Sequence, residues 1–104
     1  MWRPSVGRVV RSGDHTTTRG AGDVTLEWKS PAGTVGGRVR PYLIERREQP
    51  ETGGAFGEWR QVGVALESHI KLEAQPRHRD LEYRVLALNH AGQSPPSNEV
   101  PVVL

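Results

Sequence analysis

An all-β chain, folded as an antiparallel sandwich of about seven short strands, is what this sequence predicts. Leu81, Tyr83, Val85 and Ala87 alternate with polar or outward positions, the period-two signature of a half-buried strand. No segment sustains a helical period over three turns. Twelve glycines and eight prolines divide the 104 residues into strand-length pieces.

In chain order, residues 1–22 read as a basic, polar lead or linker holding Arg3, Arg8, Arg11 and Arg19. Either Val6–Val10 or Thr16–Thr18 supplies a first edge strand from it, or the segment is a linker. Trp2 reads as an exposed terminal residue. From Asp23 the pattern sharpens, and 23–104 reads as the folded domain. Val24, Leu26 and Trp28 alternate with Thr25, Glu27 and Lys29, and Gly36-Gly37 close the loop that follows. Tyr42, Ile44 and Arg46 share one face of the next strand, with Leu43, Glu45 and Arg47 on the other. Pro41 falls within that strand as expected from the sequence. It lacks an N–H, so a bulge or an unpaired group is expected there, which would let Val39 and Tyr42 both face inward. A glycine-rich loop runs from Glu48 to Glu58. Trp59–Val64 then form a short strand, and Ser68, Ile70 and Leu72 alternate in another. Pro76 breaks the chain before the strand at Leu81. The turn Asn-His-Ala-Gly-Gln and the sequence SPPS lead into the closing β-branched run.

These segments, in this order, resemble the fibronectin type III family. VTLEWKSP is similar to the family's second strand, with Trp28 as core anchor. GGRVRPYLIERRE resembles the third, EWRQVG the edge strand after it, and EYRVLALNHAGQSPPSNEV the closing pair. The likeness covers roughly 23–104, and the subtype is similar to modules found in bacterial proteins and in giant muscle proteins. It implies an immunoglobulin-like antiparallel β-sandwich. It also implies a non-catalytic spacer or protein–protein interaction module, part of a larger protein, whose partners are another protein or neighbouring domains of the same chain. An extracellular or cell-surface location is what the family favours. The family's loop tyrosine is replaced by Leu81, so apolar burial is expected where that hydroxyl would bond. The alternative reading is an accessory module that binds a carbohydrate or another polymer for an enzyme. It requires exposed coplanar aromatics, with Phe56 and Trp59 side by side.

Composition narrows the function classes. Fourteen Lys+Arg against 12 Asp+Glu give a net charge of +2, a small excess for a nucleic-acid binder, so no specific nucleic acid is expected. Cysteine is absent, which removes disulfides and thiol chemistry. No apolar run approaches the roughly 20 residues that span a bilayer, so no membrane insertion is expected. The N-terminus lacks the apolar core of a signal peptide, so any export signal was removed or never existed. The isolated domain is expected to be monomeric.

Catalytic, cofactor and metal residues are expected to be none. His15, His69, His78 and His90 show no HExxH or HxxxH spacing, and no serine sits in a GxSxG elbow. Glu45 and Glu82 fall among Arg47 and Arg84, which reads as charge pairing across strands. No Arg-Gly-Asp and no Asn-x-Ser/Thr is present. The candidate partner face is instead the outward side of the strands at 42–47 and 81–88. There Leu43, Leu86 and Leu88 lie beside Glu45, Arg47 and Arg84, an apolar cluster rimmed by charge. The plain alternative is that arginine stems cover isolated leucines. Phe56, His90 and Gln93 are candidate loop contacts, with Phe56 expected to fold back on the sandwich.

Overall fold

The computed structural model describes residues 4–12, 21–29, 41–50, 53–76, 80–89 and 92–103. Eight strands occur among them: β1 (Ser5–Ser12), β2 (Ala21–Lys29), β3 (Tyr42–Glu48), β4 (Arg60–Ala65), β5 (His69–Pro76), β6 (Asp80–Asn89), β7 (Gly92–Gln93) and β8 (Val100–Val103). They form two antiparallel sheets. One has the order β1-β2-β5; the other has β4-β3-β6, with β7 and β8 both paired to β6. The eighth strand relative to the expected seven is β7, two residues long, which the SPPS sequence separates from β8.

Alternation places the core. Val24, Leu26 and Trp28 from β2 meet Tyr42, Ile44, Leu81, Tyr83 and Val85 from the opposite sheet, and all are buried. The Trp28 and Tyr42 rings meet edge to face with centroids 5.2 Å apart, a favoured aromatic geometry. Leu81, at the place of the family's loop tyrosine, is 1% exposed. Gly63 faces inward where β4 approaches the other sheet: a Cβ there would lie 3.0 Å from Leu72 Cδ2 and 3.1 Å from Ile70 Cδ1. That close approach is what glycine permits. Gly92 opens β7 with φ +118°, a conformation that favours glycine.

β1 comes from the lead segment and pairs with β2 from Ser5↔Lys29 to Ser12↔Asp23, with an irregularity between Val6 and Arg8. At that point Asn98, from the segment before β8, takes over. Its Oδ1 accepts from the Val6 N–H at 2.9 Å, and its Nδ2 donates to the Val6 carbonyl at 3.2 Å. A side-chain amide thus mimics a strand partner and ties the edge of one sheet to the other. Thr16–Thr18, Trp2 and Val39 lie outside the described residues.

The expectation for Pro41 needs correction. β3 begins at Tyr42, so Pro41 precedes the strand, and its carbonyl accepts from the Leu88 N–H at 3.1 Å. A proline just before a strand withholds no donor from the ladder, so no bulge is required there. The irregularity in this sheet lies further on, where Ile44 pairs with Gly63 but Glu45 with Gln61, leaving Val62 as the extra residue.

Candidate partner-binding face

β3 and β6 pair in the register Leu43↔Leu86, Glu45↔Arg84 and Arg47↔Glu82. The register sets each glutamate directly across from an arginine, Glu45 from Arg84 and Glu82 from Arg47. Arg84 Nε and Nη2 both lie 2.7 Å from Glu45 Oε1. Arg47 Nε donates to Glu82 Oε1 at 2.6 Å, its Nη2 also meets that oxygen, and Glu99 stands 3.5 Å away. All four side chains of these two pairs are half-buried, so the pairs are less screened than ordinary surface bridges.

Trp59, the residue before β4, lies on this face. The Arg84 guanidinium is 4.2 Å from its ring centroid and that of Arg47 4.7 Å, both within cation–π range. The Arg47 guanidinium is also 5.1 Å from the Phe56 ring. Phe56 is half-buried, drawn back from the glycine-rich loop onto the sheet. Two arginines, two glutamates and two aromatics thus form one stack bracing β3 and β6. Replacing Trp59 with alanine removes both cation–π contacts and is expected to cost about 2 kcal/mol of stability, read as a lower urea midpoint. A loss below about 0.5 kcal/mol would mean that the carboxylates alone hold the arginines.

The apolar members of the face are unevenly available. Leu43 and Leu88 are half-buried, but Leu86 is only 5% exposed. Leu86 is therefore corrected from contact residue to internal packing: it sits between Leu43 and residues 94–97, which run hydrogen-bonded beside β6. Val64 on β4, opposite Leu43, is 51% exposed and extends the row to the sheet edge. Val64 was not among the expected face residues; it alternates with the inward Gly63 and Ala65 on either side of it. Gln93 is exposed in β7. His90 lies outside the described residues, as do His15 and His78. His69 is exposed on β5. Among the described residues no group of three or more His, Cys, Asp or Glu could hold a metal ion, and no helix is long and apolar enough to cross a membrane.

A second, buried polar cluster lies at the inner end of β3. Gln75 Oε1 accepts from the Tyr83 hydroxyl at 2.7 Å and from Arg46 Nη1 at 2.7 Å, while Arg46 Nη2 bridges to Glu48 Oε2 at 2.9 Å. Burial pushes the Tyr83 phenol up to about 12, against the opposing pull of Arg46. Gln75 reaches inward because β5 carries a bulge: Gly22 pairs with Gln75 but Val24 with Leu72, and Ala74 takes φ +58°.

No family model matches the sequence. A Caenorhabditis elegans protein, juxtamembrane domain-associated catenin, is 36% identical over 84 residues, 76% of this chain and 6% of that protein. The solved twitchin kinase region of C. elegans is 32% identical with TM-score 0.62, matching 78% of this chain and 14% of that one. The fibronectin type III domain of human fibronectin type III domain containing protein 3 is 23% identical with TM-score 0.61, over 95% of this chain and 81% of that one. The chain has the fibronectin type III fold. Its structural neighbours are fibronectin type III domains and modules of titin and twitchin, generally non-catalytic domains within larger proteins. This chain spans only a small part of the catenin and of the twitchin region.

Proposed function

We propose that this fibronectin type III-fold chain works as a non-catalytic module of a larger protein, a stiff spacer that also presents the outer side of β4, β3 and β6 to a neighbouring domain or protein. One observation carries the reading. The charged part of that face is neutralised within the chain by the Arg84–Glu45 and Arg47–Glu82 pairs around Trp59, so the sheet is braced without a ligand. What it offers outward is shape and a narrow apolar row, which suits packing against a protein surface. The carbohydrate alternative loses its main support, since Phe56 and Trp59 are half-buried and engaged by Arg47.

The interaction half of the reading is tested by capture on the immobilised chain, with a Leu43→Ser, Leu88→Ser double variant as the matched control. Both positions are half-buried, so folding of the variant is checked by its urea midpoint. A protein retained by the natural sequence and released by the folded variant is the expected result. Equal retention by both would remove the face from the proposal and leave the spacer role alone.

A further inference from the structure

We propose that the free edge of β4 pairs with the same edge of a second copy of this chain, antiparallel and centred on Val64. Exposed strand edges are templates for pairing unless something blunts them. The other edges are blunted. β1 carries Arg8 and Arg11 and a register irregularity at Gly7, and Arg11 Nη1 donates to the Val103 carbonyl at 3.3 Å. β5 has Lys71, the bulge at Ala74 and a terminal Pro76. β8 has Pro101, and β7 is two residues long. β4 differs: it has no proline and carries a charge only at its first residue, Arg60, so Gln61–Ala65 are uncharged. Its irregularity lies at Val62, leaving Gly63–Ala65 in regular register with β3.

Side-chain direction fixes the pairing. Gly63 and Ala65 point inward, and Val64 points out. A two-fold axis perpendicular to a sheet keeps each side chain on its own face, so inward residues must oppose inward ones. Centring on Val64 satisfies this: Val64 opposes itself and Gly63 opposes the second copy's Ala65. The residues that pair are thus Gly63–Ala65 of each copy, the stretch in regular register with β3. It also completes a packing pattern. Leu86, Leu43 and Val64 form one apolar row across the outer face, buried at β6 and 51% exposed at the edge. Self-pairing makes that row six residues long and covers its exposed end. This association does not depend on the module's role in a larger protein, and it departs from the monomer that the sequence leads one to expect.

The test is sedimentation of the chain up to about 1 mM, a range that detects weak dimers, beside the Val64→Lys variant. A mixed sample of isotope-labelled and unlabelled chain is then examined for contacts between Val64 methyl groups of different molecules. The expected result is a mass that rises toward the dimer with concentration, a constant monomer mass for Val64→Lys at an unchanged urea midpoint, and an intermolecular Val64–Val64 contact. A chain that stays monomeric throughout, a variant that dimerises equally, or a dimer without that contact would each overturn the proposal.

Discussion

Replacing Gln75 with leucine is expected to cost this domain about 3 kcal/mol, the upper end of the range for leaving buried hydrogen-bond donors unsatisfied. Gln75 is 6% exposed, and its Oε1 is shared by the Tyr83 hydroxyl and Arg46 Nη1. Leucine fills the volume but leaves both donors without that acceptor, and desolvated donors near a charge are costly. Arg46 Nε is already buried without a partner among the described residues, so the guanidinium has little reserve. Glutamate keeps the acceptor and adds a charge complementary to Arg46 but loses the Nε2–H bond to the Glu73 carbonyl, so Gln75→Glu is expected to cost about 1 kcal/mol, well short of the leucine variant. Urea titration checks both variants. A leucine variant as stable as the glutamate one would show that the shared acceptor contributes nothing.

The same cluster gives the domain an alkaline limit. The Tyr83 phenol titrates near 12 in the folded chain, above its ordinary value of 10.0, chiefly because burial disfavours phenolate. Its folded value is raised, so its contribution is fully present below pH 10 and is lost as pH climbs toward 12. By linkage that loss amounts to about 3 kcal/mol at most. Comparison with Tyr83→Phe isolates it. The phenylalanine variant is expected to start less stable, and the gap is expected to close between pH 10 and 12. A gap that stays constant over that interval would contradict the assignment to Tyr83.

The second large effect is expected at SPPS. Pro95 and Pro96 have no N–H to offer β6, and the two flanking serines do that work. The Ser94 hydroxyl accepts from the Ala87 N–H at 2.9 Å and the Ser97 hydroxyl from the Val85 N–H at 2.8 Å. Their own N–H groups return bonds of 2.8 Å to the carbonyls of the same two residues. Each hydroxyl also donates onward, to the carbonyls of Pro95 and Asn98. Both serines are buried, so alanine at both positions leaves two backbone donors unpaired at about 1–3 kcal/mol each. Hydrogen exchange is expected to accelerate at Val85 and Ala87 in the double variant. Exchange at the natural rate, with a change in stability below about 0.5 kcal/mol, would mean that water replaces the hydroxyls.

These two sites also show where sequence reading stopped. Period-two alternation located β2, β3 and β6 and assigned Trp28, Tyr42, Ile44, Tyr83 and Val85 to the core, because burial on one face of a strand leaves a local trace. Gln75 left none. Simple alternation from Ile70 and Leu72 places Ala74 inward and Gln75 outward; the bulge reverses that, and a non-glycine residue at φ +58° is not readable from its letter. SPPS was legible as a break but not as a ladder carried by hydroxyls, since that depends on which strand lies beside it. The partner face was legible in direction only. Leu43, Leu86 and Leu88 do sit on the outer side, yet the burial of Leu86 follows from residues 94–97 alongside β6, a contact eight or more positions away in sequence. Trp59 was visible as an aromatic at a strand boundary, but its place against two arginines required the register of three strands.

Single-molecule stretching of the chain held between two handle domains tests the spacer role most directly. One all-or-none unfolding event per molecule is expected, with a contour gain of about 30 nm from the extended length of this many residues, and recovery on relaxation. Gradual extension at low force, without a discrete event, would contradict a stiff self-braced module.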